Sequence, residues 1–205
     1  MKKTFLSLFL LWGTMAHSQS AVTYRFDQNL LSSPQTFIPL DIVGPKGYFV
    51  LDLAPFVHKD SIYVYRFPLN SGLVFNNQEL DDFITGSYTI EMYFKYDNGE
   101  LLIYNQLLGD HVKDKQGQYV HLAVSRDADT QRVVVYIDGK KSTEFFDLQN
   151  QLAMNGLSKI TFFAQEGTIT TGGSVALIRI YNYFINSDRA QSQFAAFRNE
   201  KSTGR

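Results

Sequence analysis

The chain has 205 residues, 19 of them basic and 20 acidic, with 15% aromatic residues and no cysteine. That mixture is too apolar for a disordered chain and too evenly spread for a coiled coil. The missing cysteines exclude thiol catalysis, disulfides and cysteine-ligated zinc.

Lys2 and Lys3, the apolar run Phe5 to Trp12, and the small residues Ala16, Ser18 and Ser20 follow the pattern of a secretory signal over residues 1–20. The run is far shorter than the ~20 residues that would span a bilayer, and a lipoprotein signal would need a cysteine. The expected product is soluble, without a membrane anchor, and periplasmic or extracellular. It consists of one domain over residues 21–205, large enough to build its own core. Without Lys2 and Lys3 it carries 17 basic against 20 acidic residues and has no basic tract, which argues against a nucleic-acid partner. Trp12, the only tryptophan, leaves with the signal.

All five prolines fall between Pro34 and Pro68, so a looser, edge-like segment is expected there and regular sheet after it. Strands are expected at Tyr24 to Phe26, Tyr48 to Leu53, Ile62 to Phe67 and Gly72 to Phe75. From Tyr88 to Tyr96 the alternation puts Tyr88, Ile90, Met92, Phe94 and Tyr96 on one face and Thr89, Glu91, Tyr93 and Lys95 on the other. Further strands are expected at Leu101 to Tyr104, Val120 to Ser125, Arg132 to Ile137, Ser142 to Phe146, Lys159 to Phe163 and Ser174 to Tyr181. Asp138-Gly139 predicts a two-residue hairpin turn. One C-terminal helix is expected, with Ser187 as its cap and Ala190, Phe194 and Phe197 on one face, closing an end or edge of the sheets. The fold class is all-β: a two-sheet antiparallel jelly-roll sandwich with one short C-terminal helix.

Four stretches in series carry a family likeness: Ser87 to Phe94, Tyr119 to Arg126, Val135 to Lys140, and Gly173 to Asn182 leading into the helix. Together they resemble the laminin G-like jelly roll of the concanavalin A-like lectin and glucanase superfamily. The resemblance implies two packed antiparallel sheets, with binding at a loop rim or on the concave face. Tyr119 stands where family members commonly carry tryptophan.

The glucanase branch of that superfamily uses a Glu-x-Asp-x-x-Glu strand. Here Glu79 and Asp81 match its first two acids, but Ile84 stands at the third and the stretch reads as a polar loop. No Gly-x-Ser-x-Gly elbow or phosphate loop occurs, and His58, His111 and His121 are scattered. A sugar platform needs an aromatic face and a few fixed polar groups. Tyr93 with Glu91 and Lys95, and Tyr119 with His121 and Ser125, offer that mixture, although the same residues would also suit a packed sheet face. The candidate ligand-binding residues are Tyr93, Glu91, Lys95 and His121. The resemblance to pentraxins places a calcium loop near Gln165 to Thr168, where Glu166 matches one carboxylate and Thr168 replaces another; Asp81 and Asp82 could approach from an earlier loop. No cofactor is expected, and calcium binding is expected to be weak at most. The expected function is a non-catalytic exported module that binds a glycan or an extracellular or envelope protein. The alternatives are a glycan hydrolase or lyase with a non-standard acid/base pair and a structural envelope-assembly protein.

Overall fold

A computed structural model of the chain describes residues 20–33, 38–53, 61–80, 83–97, 117–164 and 170–199. Among these are strands β1 (Ala21–Arg25), β2 (Ser32–Ser33), β3 (Asp41–Val43), β4 (Tyr48–Leu53), β5 (Ser61–Phe67) and β6 (Gly72–Asn76). They continue with β7 (Tyr88–Tyr96), β8 (Val120–Arg126), β9 (Arg132–Ile137), β10 (Lys140–Phe146), β11 (Lys159–Phe162) and β12 (Gly173–Tyr181), followed by one α-helix, α1 (Ser187–Asn199). The all-β sandwich with a C-terminal helix is the observed fold. The strand expected at Leu101 to Tyr104 lies outside the described residues, as do the residues 1–19 read as a signal.

The larger sheet runs β10-β9-β8-β7-β12-β1-β2, with the β4–β5 ribbon attached through β12. β12 is paired with β7 along its length, and on its other side with β5 at Gly173 to Val175 and then β1 at Leu177 to Tyr181. The register slips between Val175 and Leu177, so Ala176 is a bulge, and there one neighbour hands over to the other. β11, β6 and β3 form the second sheet. The core between the sheets holds Tyr24, Phe67, Phe75, Phe94, Ile178 and Ile180, all at most 3% exposed. Burial of such side chains supplies about 1.5–3 kcal/mol each and drives the sandwich together.

Local chemistry explains the elements. β9 is a branched run, and Asp138 (φ 49°) and Gly139 (φ 75°) make the tight turn into β10 in the left-handed conformation that primed hairpin turns require. No described strand contains a proline. β4 is the edge expected of the proline-rich third, but β5 reaches the centre of the sheet through β12, so that third is more regular than its prolines imply. Sequence reasoning missed β2 and β3 because two or three residues carry too little periodicity to register.

One expectation about α1 is corrected and one is extended. Asn186, not Ser187, is the cap: the backbone N–H of Arg189 donates to Asn186 Oδ1 at 3.0 Å. The helix meets the edge strand β10, as expected, but it also reaches across a face. Ala190 packs with Ala123, Val134 and Tyr136, and Phe197 with Tyr93, Tyr119 and Val64, so α1 lies across the outer face of the larger sheet.

Candidate functional site

The outer face of β7 and β8 carries the residues that the alternation singled out, opposed as Glu91↔Ala123 and Tyr93↔His121. The periodicity assigned them to the right face, but that face is not wet. Glu91, Tyr93 and His121 are fully buried and Tyr119 is 2% exposed, because α1 and the segment leading into it cover them. Of the four candidates, only Lys95 reaches solvent, at 18% side-chain exposure.

Three polar clusters follow one another along this face. Nearest the start of α1, the Thr89 and Ser125 hydroxyls meet at 2.8 Å; Thr89 donates to the Tyr183 carbonyl, and Ser125 accepts the Ile185 N–H. They pin the chain between β12 and α1.

The central cluster is built on Glu91. Its Oε1 lies 2.9 Å from His121 Nε2, and its Oε2 accepts from the Tyr181 hydroxyl at 2.6 Å and from Arg179 Nη1 at 3.2 Å. Arg179 Nε donates to Thr23 Oγ1 at 3.0 Å. Burial alone would raise the Glu91 carboxyl's pKa, but the His121 hydrogen bond and charge, with Arg179 and Tyr181, outweigh it and hold Glu91 below the usual glutamate value. Burial and then the Glu91 charge push the Tyr181 phenol up, so it stays a donor. An ionised carboxylate only accepts, so His121 presents its Nε2 proton to Glu91. With three donors on two shielded oxygens, Glu91 has no room for a substrate atom while α1 is in place.

The third cluster is open. Lys95 Nζ pairs with Asp52 and lies 4.9 Å above the Tyr119 ring, whose hydroxyl donates to Asp52 Oδ2 at 2.9 Å. Arg66 Nη2 bonds both oxygens of Asp97 at 2.9 and 2.8 Å, and Nη1 donates to Ser174 Oγ at 3.3 Å. Side-chain exposure climbs from 0% at Glu91 and His121, through 18% and 25% at Lys95 and Asp52, to 35% and 42% at Arg66 and Asp97. The face therefore emerges into solvent at its β4–β5 side, where two cationic donors and two carboxylate acceptors alternate. Such a set can engage neighbouring hydroxyls of one ligand in both senses.

Sequence reasoning missed Asp52, Arg66, Asp97, Arg179 and Tyr181, which come from β4, β5, β12 and the end of β7. One signal was available: Glu91 and Arg179 are opposite charges set among mainly apolar residues in their strands, and buried charges require partners. Glu79 is exposed on a short 3-10 turn and accepts from Asn76 Nδ2 at 2.9 Å, while Ile84 is a fully buried core residue. Asp81, Asp82, Glu166, His58 and His111 lie outside the described residues. Among the described residues, no three His, Asp or Glu side chains come together as a metal-holding group.

No protein-family model matches the chain. No curated protein matches it by sequence. Solved structures share its fold. Domain 4 of AbnA, a GH43 extracellular arabinanase from Geobacillus stearothermophilus solved in complex with arabinotriose, superposes with a TM-score of 0.60 at 14% identity, over 86% of this chain and 98% of that one. The receptor binding domain of botulinum neurotoxin D gives 0.58 at 9% identity, over 88% and 53%. Trypanosoma rangeli sialidase gives 0.55 at 13%, over 86% and 32%. This chain thus spans nearly all of the arabinanase domain, about half of the toxin domain and about a third of the sialidase. The likeness is one of fold: an antiparallel β-sandwich. No helix among the described residues is long and apolar enough to cross a membrane.

Proposed function

We propose that this chain is an exported, non-catalytic binding module, laminin G-like in kind, that recognises a glycan at the open end of its outer sheet face. The observation that carries the reading is the emergence there of Lys95, Asp52, Arg66 and Asp97 beside Tyr119. Alternating donors and acceptors on a rigid sheet suit the hydroxyls of a sugar, and strands hold them more firmly than loops would. The fold that this chain shares with a domain solved around arabinotriose supports the same reading.

The test is a glycan array with protein lacking residues 1–20, with and without calcium. Retention of a glycan that is lost in Lys95→Ala and Arg66→Ala, with circular dichroism unchanged, is the expected result. Silence across the array would overturn it. Calcium independence is also expected, and micromolar calcium binding abolished by Glu166→Gln would restore a metal-dependent lectin. Polysaccharide turnover lost in Glu79→Gln would favour a glycan-active enzyme instead. Export is tested by expressing the whole chain in a bacterium: protein recovered outside the cytoplasm should show no indole emission, because Trp12 has been removed.

A protein partner is the second reading, favoured by a different observation. Phe145, Phe146, Leu148, Leu152 and Leu157 stand 40–74% exposed within one short stretch of chain, and exposed apolar side chains of a contact surface are the kind of group that a partner would cover. Co-purification with one envelope protein and a silent array would favour it.

A further inference from the structure

A sugar site joins polar groups to an aromatic platform, and on this face the two halves lie side by side in different states. The polar half, around Lys95 and Asp52, is open. The aromatic half is continuous with it, because Tyr119 stacks on Tyr93 at 5.4 Å and 12°, but it is occupied from within the chain. Phe197 lies on Tyr93 with ring centroids 4.3 Å apart, and Phe194 lies on His121 at 5.3 Å. Two residues of α1 thus fill the positions in which a ligand ring would stack.

We propose that α1 is a displaceable cover whose Phe194 and Phe197 compete with the ligand for Tyr93 and His121, an inference that rests on the glycan reading of the open end. The seat of the helix is not that of a permanent core element. His121 Nδ1, from the sheet, and Gln193 Oε1, from the helix, are buried without a hydrogen-bond partner among the described residues. Both groups regain partners when the helix lifts, so docking carries a cost that undocking removes. The side chains of residues 190–199 make no hydrogen bond to any strand among the described residues; Ala190, Phe194 and Phe197 hold the helix by contact. By contrast, the Thr89 and Ser125 hydroxyls fix Tyr183 and Ile185, which supplies a pivot that stays in place while α1 swings. Lifting α1 would extend the open cluster into a continuous groove reaching Tyr93, His121 and Glu91.

Hydrogen exchange and carbethoxylation of His121 by diethyl pyrocarbonate test the cover without any ligand, with peptide mapping to separate His121 from His58 and His111. Amides of residues 190–199 should exchange about a hundredfold faster than those of β7 and β8, and His121 should react through the same opening. Phe197→Ala should speed both by about tenfold or more. Phe75→Ala, which weakens the core on the other side of the sheet, should speed exchange in β7 and β8 while leaving that of the helix unchanged; helix and strand exchange rising together would mean that α1 opens only by global unfolding. Modification of His121 no faster than global unfolding, in the wild type and in Phe197→Ala alike, would overturn the cover. On the glycan array, a retained glycan should bind Phe197→Ala more tightly than the wild type; equal binding by a helix shown to open would overturn the competition. An opening helix with a silent array would uphold the cover and remove the glycan reading.

Discussion

His121 Nε2 stands 2.9 Å from Glu91 Oε1, and both side chains are wholly shielded from solvent. Removing the Glu91 carboxylate would leave the Arg179 guanidinium and the His121 and Tyr181 donors around it without their acceptor, which is the costly way to perturb a buried charge. Glu91→Gln should therefore destabilise the protein by about 3 kcal/mol in urea unfolding. The pH dependence has a definite sign. Because the folded Glu91 pKa lies below its ordinary 4.5, its contribution is complete above that value and is lost as pH falls through the lowered folded value. The gap between wild type and Glu91→Gln should therefore close as pH falls below the ordinary glutamate value of 4.5. A gap that persists undiminished in strong acid would refute the assignment.

Tyr93 and Tyr119 are stacked and buried together, so their truncations should behave alike. Tyr93→Ala and Tyr119→Ala should each cost about 3–5 kcal/mol, as large aromatic deletions in packed sites do. Tyr119→Phe keeps the ring and loses the hydroxyl with its bond to Asp52, for about 1 kcal/mol. Thermal and urea melts of the three variants check this.

Gly139 is constrained twice. Its φ of +75° is strained for any side chain, and an added Cβ would lie 3.1 Å from Phe194 Cβ and 3.2 Å from Gln191 Cα. Gly139→Ala should cost about 1 kcal/mol from the backbone alone, and it should raise hydrogen exchange in α1 more than in β12.

Asn186→Ala removes the acceptor for the Arg189 N–H and should lower stability by about 1 kcal/mol, with the loss concentrated in exchange protection of the first turn of α1.

The sandwich was legible because its strands are long and patterned. The bounds of β4, β7 and β9 match their period and their turn residues, and the Tyr88-to-Tyr96 alternation divided the two faces correctly. What periodicity does not carry is what covers a face. Thr89, Glu91, Tyr93 and Lys95 read as an outer surface, yet whether that surface meets water depends on a helix a hundred residues later in the chain. The polar partners were illegible for the same reason: Glu91 meets Tyr181 and Arg179, and Lys95 meets Asp52, through strand order, which a local pattern does not encode. Ser187 and Asn186 are both good caps, and only the backbone geometry chooses between them.

The position of β12 has a consequence for how the chain is made. β1, β5 and β7 all hydrogen-bond to this one strand, with Ala21 facing Tyr181 across almost the whole described length. A chain that emerges with its amino end first holds three strands awaiting a shared neighbour that arrives last, so the centre of the large sheet cannot zip until Tyr181 is free. Contacts so distant in sequence are slow to form. Under the export proposed above, that delay would keep the chain narrow enough to be threaded through a channel, since the order of its strands postpones the step that widens it.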